Sequence, residues 1–128
     1  MRGLREELRR CLTSFVCQEG ELVAAFSFPP NFTGFAGHFP ENPVLPGVCM
    51  IEASLVMLES HFRRRALLLR LGSAKFLAAV TCGQECIWTC RVREVRACTY
   101  RVKTTIDREG ERVAVLDLTV RLSNEAVT

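Results

Sequence analysis

Apolar and polar residues alternate with period two along most of the chain, and one long stretch breaks that rhythm. Between Ser14 and Phe28 the pattern is strand-like, with Gly20 as a turn between two runs. Leu22, Ala24, Phe26 and Phe28 share one parity, as a half-buried strand requires. Pro29-Pro30-Asn31 ends the run. From Val48 to Phe62 the period becomes helical, with Val48, Ile51, Leu55, Leu58 and Phe62 on one stripe. Cys49, Met50, Ala53, Val56 and Met57 make the other faces apolar too, so this helix is expected to be enclosed by protein. Polarity returns at Glu59, which predicts that the last turns reach water.

Four further strands are predicted. Ala74, Phe76, Ala78 and Val80 alternate with their neighbours over 73–80. After a turn at Thr81–Gln84, the inward set is Cys86, Trp88, Cys90 and Val92. It continues as Tyr100, Val102, Thr104 and Ile106. Beyond a turn at Arg108-Glu109-Gly110 it is Ala114, Leu116, Leu118, Val120 and Leu122. Short connections imply an antiparallel meander. Residues 3–11 fit a short charged helix. The expected fold is α+β, a curved antiparallel sheet wrapped round one apolar helix. Its edge strands are left for a second copy to pair with.

The chain has 128 residues, 48% apolar and 24% charged, which suits one domain over 1–128 with one sizeable core. No apolar run approaches the roughly 18 residues of a membrane helix. The first residues lack the apolar stretch of a signal peptide, so a cytoplasmic protein that does not act on membranes is expected. A net charge of +3 is too weak to argue for nucleic acid. Arg9 and Arg10 read as solvated surface. Arg63 to Arg65 either offset the negative end of the central helix or steady an acidic partner near the mouth of a site. Seven cysteines are an odd number for a disulfide framework. Cys82, Cys86 and Cys90 recur every four residues and could form a thiolate metal site. The reading as small core hydrophobes is preferred, because nothing supplies a fourth ligand.

Candidate chemistry concentrates in two side chains. Glu52 lies alone on the apolar helix, where a carboxylate is costly to bury without a partner or a task. Fourteen positions earlier, His38 sits in a loop stiffened by Pro40, Pro43 and Pro46. If both face one cavity, a neutral imidazole can take a proton, and a carboxyl in apolar surroundings can give one. Gly47 begins the helix, where free N–H groups can hold a developing oxyanion. Base, acid and oxyanion site together suit proton removal beside a carbonyl with loss of a group one carbon further on. The structural alternative is an ordinary loop histidine and a Glu52 tied into a buried hydrogen bond or ion pair.

The run Phe35-Ala36-Gly37-His38-Phe39-Pro40-Glu41-Asn42-Pro43-Val44-Leu45-Pro46-Gly47-Val48-Cys49-Met50-Ile51-Glu52-Ala53 resembles the signature of the 3-hydroxyacyl-acyl-carrier-protein dehydratases of FabZ/FabA type. The resemblance implies the hotdog fold, in which a sheet wraps a central helix. It implies that His38 removes the C2 proton of an acyl thioester and that Glu52 protonates the departing C3 hydroxyl. Gly47 would bind the thioester carbonyl, with Val48 and Phe39 also contacting substrate. It further implies a homodimer or higher homo-oligomer, with His38 and Glu52 contributed by different subunits. No metal or organic cofactor is implied, and the substrate would arrive on an acidic carrier protein, to which a basic rim including Arg63 to Arg65 is suited. Val56 stands where many members carry glutamine, and the proline usual before the Gly83 turn is missing; both suggest a divergent member. Two other functions fit such a chain: a hotdog thioesterase, or a non-catalytic acyl-binding protein.

Overall fold

The structure, a computed structural model, describes residues 2–35 and 43–127. In chain order its elements are α1 (Arg2–Cys11), β1 (Leu12–Gln18), β2 (Glu21–Ser27), a 3-10 turn (Thr33–Phe35), α2 (Gly47–Phe62), β3 (Arg64–Phe76), β4 (Glu85–Arg96), β5 (Thr99–Arg108) and β6 (Glu111–Ala126). The six strands form an antiparallel sheet in the order β1-β2-β4-β5-β6-β3.

Two hairpins are set by Glu-Gly turns. Glu19 and Gly20 have φ of 49° and 79°, and Glu109 and Gly110 have 51° and 79°. Two consecutive positive φ values match the right-handed twist of the flanking strands, and glycine takes the second without steric cost. The resulting registers align buried residues across the sheet. Leu22, Cys90, Thr104 and Leu116 form one row, and Ala24, Trp88, Ile106 and Ala114 form the next. All eight are buried. Small residues flank the large Trp88 and Ile106, which leaves room for α2 against this face. Trp88 Nε1 donates to the Met50 carbonyl at 3.2 Å, and Cys90 Sγ lies 3.8 Å from Met57 Sδ. The expected hotdog arrangement is therefore present, with α2 against the sheet and its residues 53–58 all buried.

The strand after α2 differs from expectation in extent and in place. It begins at Arg64, not near Ser73, and residues 77–80 lie outside it. Arg63 makes the sharp entry possible by taking a left-handed conformation, φ 61°, with its N–H on the Glu59 carbonyl at 2.8 Å. Ala66-Leu67-Leu68-Leu69 has no alternation, so period two could not reveal it. The strand also does not continue a meander into β4. It crosses to the far edge and pairs with β6, from Ala66 opposite Leu122 to Phe76 opposite Ala114. Val80, expected within that strand, is instead buried and accepts the Leu45 N–H at 2.8 Å. No described helix is long and apolar enough to cross a membrane.

Candidate active site

Three helical positions of the sequence reading fall on the first part of α2. Gly47 is its first residue, Val48 follows, and Glu52 lies one turn beyond Val48 on the same side. Pro46 caps the helix with extended geometry (φ −65°, ψ 148°) and no capping side chain. The Pro46 carbonyl accepts the N–H groups of Cys49 at 3.0 Å and Met50 at 3.3 Å, and among the described residues no side chain caps those of Gly47 and Val48. A Cβ on Gly47 would stand 2.6 Å from the Phe76 ring, so glycine is what lets that ring approach the helix start. Beside it a groove of about 500 Å³ is lined by Gly3, Leu4, Glu7, Thr33, Gly34, Pro46, Val48 and Cys49. Val48 is half exposed, as a residue that meets a partner or substrate would be. His38 and Phe39 lie outside the described residues.

Glu52 is not isolated among apolar groups: of the two arrangements the sequence left open, the structure shows the ion pair. Arg5 of α1 reaches it, with Nε 3.0 Å from Oε1 and Nη2 3.5 Å from Oε2. The same guanidinium donates through Nη1 to Glu59 Oε2 and to the Ala66 carbonyl, both at 2.8 Å. Burial works against the Arg5 charge, but the hydrogen bonds and charges of Glu52 and Glu59 outweigh it and hold its pKa above the ordinary value.

The last turn of α2 reaches water at exposed His61, as expected, but Glu59 is an exception. It does not reach water: its side chain is 2% exposed. It is satisfied by Arg5, by Arg9 Nη2 at 2.7 Å and by the Ala66 N–H at 2.9 Å. Arg9 is therefore part of an ion cluster and not merely solvated surface. The spacing explains the match. Leu4, Leu8 and Cys11 of α1 are buried, and Arg5 and Arg9, one turn apart, form the adjacent stripe. Glu52 and Glu59, two turns apart, share the facing stripe of α2. The pairing of these spacings was present in the sequence, but only helix–helix packing selects these partners.

Arg63 to Arg65 sit at the other end of α2 from Gly47, roughly 24 Å away at 1.5 Å per residue. Arg64 bonds the Ser123 carbonyl and Asn124, and Arg65 pairs with Glu125. They tie the start of β3 to the end of β6 and do not rim the Gly47 end. Val56 is fully buried, so the family's glutamine position is here filled by core packing. Cys86 and Cys90 are buried in β4, whereas Cys82 lies in the preceding turn, so the three do not share one strand face. Cys49 lines the groove, but burial and then the Glu52 charge push its thiol up to about 11. It is a neutral thiol at neutral pH and no nucleophile.

Residues 15–115 match the ApeI-like family, described as ApeI dehydratase. The chain belongs to this dehydratase family. The FabZ 3-hydroxyacyl-acyl-carrier-protein dehydratase of Enterococcus faecalis is 34% identical over 105 residues, 77% of this chain and 74% of the relative. That of Rickettsia felis is 29% identical over 104 residues, 75% and 72% of the two chains. Among solved structures, the dehydratase heterocomplex ApeI:P from Xenorhabdus doucetiae superposes with a TM-score of 0.74 at 16% identity. It covers 86% of this chain and 96% of that one. A hypothetical thioesterase with coenzyme A from Streptococcus pneumoniae reaches 0.67 at 10% identity over 99% of both chains. At such identities the likeness speaks for the hotdog fold alone, which hosts several chemistries. The family match carries the dehydratase assignment, and the resemblance carried by the Gly-His-Phe-Pro loop agrees with it.

Proposed function

We propose that this ApeI-like dehydratase converts (3R)-3-hydroxyacyl thioesters, carried on an acyl carrier protein, to trans-2-enoyl thioesters, with residues 1–128 acting as one domain. The observation that carries the reading is Glu52, placed just over one turn past the start of α2 in a chain of this family. In the proposed reaction His38 takes the C2 proton. The charge that develops on the thioester oxygen meets the N–H of Gly47 at the positive end of the helix. The C2–H electrons form the C2–C3 double bond as the C3–O bond breaks, and Glu52, entering the step protonated, supplies the proton that lets the hydroxyl leave as water; the proton taken by His38 returns to Glu52 before the next turnover. The carboxylate so formed lies against Arg5. Val48 and Phe39 would contact the acyl chain.

The site is proposed to be completed by a second copy, as the resemblance implies. Among the described residues no strand pairs with the outer edge of β3, which supports this, and Leu67, Leu69, Leu71 and Phe76 of that strand are all more than two-fifths exposed. The seven free cysteines, four of them buried, suit a reducing cytoplasm.

The test is incubation of purified protein with a 3-hydroxyacyl thioester. Growth of enoyl absorbance without release of thiol is expected, and its loss in His38→Ala and Glu52→Gln. Release of free thiol instead would favour a thioesterase, and neither product would leave an acyl-binding protein.

A further inference from the structure

The geometry points to Arg5 as a positioning residue for Glu52, delivered to the site by the N-terminal helix. The inference rests on the dehydratase role of Glu52 proposed above. A glutamate side chain has three rotatable bonds, and one that is 16% exposed has room to turn. Here both of its oxygens face one guanidinium, at 3.0 and 3.5 Å. Such side-on pairing fixes the plane of the carboxylate as well as its place, because the guanidinium is planar. Each oxygen keeps a second lone pair for a reacting group.

Arg5 is itself held from behind. Its Nη1 donates to Glu59 Oε2 and to the Ala66 carbonyl, and the Glu59 carboxylate is tied in turn to Arg9 and to the Ala66 N–H. Leu4 and Leu8 on either side of Arg5 are buried, Leu8 completely. The helix is therefore a packed part of the fold, and its arginine is anchored at β3 and α2 before it meets Glu52. Anchoring of this kind is what a proton donor needs: a misplaced group loses rate through orientation.

The experiment is a mutant cycle of Arg5→Gln, Glu52→Gln and the double variant, assayed on a 3-hydroxyacyl thioester with the fold checked by circular dichroism. Arg5→Gln is expected to lower kcat on the order of a hundredfold with little change in KM. The double variant is expected to be no slower than Glu52→Gln alone, since Arg5 acts through that carboxylate. Arg5→Lys, which keeps charge but not the planar fork, should recover part of kcat. Arg91→Gln, which removes an exposed pair with Glu21 remote from both helices, should spare kcat. An unchanged kcat in Arg5→Gln, or losses that add in full in the double variant, would overturn the inference while leaving the dehydratase reading intact. Should Arg5→Gln not fold, Arg5→Lys takes its place in the same cycle with the same criteria. Full activity in Glu52→Gln would instead remove the role of Glu52 on which both proposals stand.

Discussion

Burial chiefly, with neighbouring carboxylates adding to it at Cys11, Cys49 and Cys86, moves the core thiols far from their ordinary range. Cys11, Cys49 and Cys86 are pushed up to about 11 and Cys90 to about 12. These four buried thiols should resist a disulfide reagent at pH 8, while exposed Cys17 reacts first and the half-buried Cys82 and Cys98 more slowly. Counting released chromophore before and after adding denaturant checks this: at most three should react in the native state and all seven after unfolding. The sign of the pH effect follows. A thiol whose pKa is raised on folding stabilises the native state fully below its unfolded value, near 9, and that contribution is lost as pH climbs through 11 to 12. Chemical denaturation should therefore show a fall in stability between pH 8 and pH 11, reduced when Cys90 is replaced by alanine. Cysteine burial was legible from composition and alternation. The partners of Glu52 and Glu59 were not, because an ion pair 47 or 54 residues apart in sequence leaves no local pattern.

At the level of elements, the link between α1 and α2 is ionic as well as apolar, and Glu59 is its centre. Replacing Glu59 by glutamine leaves Arg5 and Arg9 facing a neutral group and the Ala66 N–H with a poorer acceptor. Removing one member of a buried ion pair costs several kcal/mol, and about 3 kcal/mol is expected here because both arginines keep some contact with water. The urea midpoint should fall accordingly with an unchanged slope, since the surface exposed on unfolding stays the same. Both helices, the two Glu-Gly turns and strands β2, β4, β5 and β6 could be read from period and turn chemistry. β3 could be read only in part. A strand at a bare edge needs no alternation between core and water, so its leucines gave no rhythm to follow. Its crossing to β6 depends on long-range pairing, which short connections in the sequence cannot express.

For the molecule as a whole, those exposed leucines are where the proposed pairing with a second copy is tested. Leu69→Glu puts a charge in the middle of the exposed stretch of β3 while leaving the buried face of the sheet untouched. It should shift the protein towards monomer in sedimentation or light scattering, and dehydratase activity should fall with the dimer fraction if the proposed site takes its carboxylate and imidazole from two chains. The hotdog architecture as a whole was legible because a helix apolar on nearly every face has to be enclosed by protein, and the remaining chain read as strands. Trp88, the single tryptophan of the chain, has its indole N–H on the Met50 carbonyl at the heart of that contact. Its emission is therefore a built-in optical reporter. Any event that lifts α2 off the sheet admits water to the indole and reddens the spectrum, whereas events confined to the surface leave it silent.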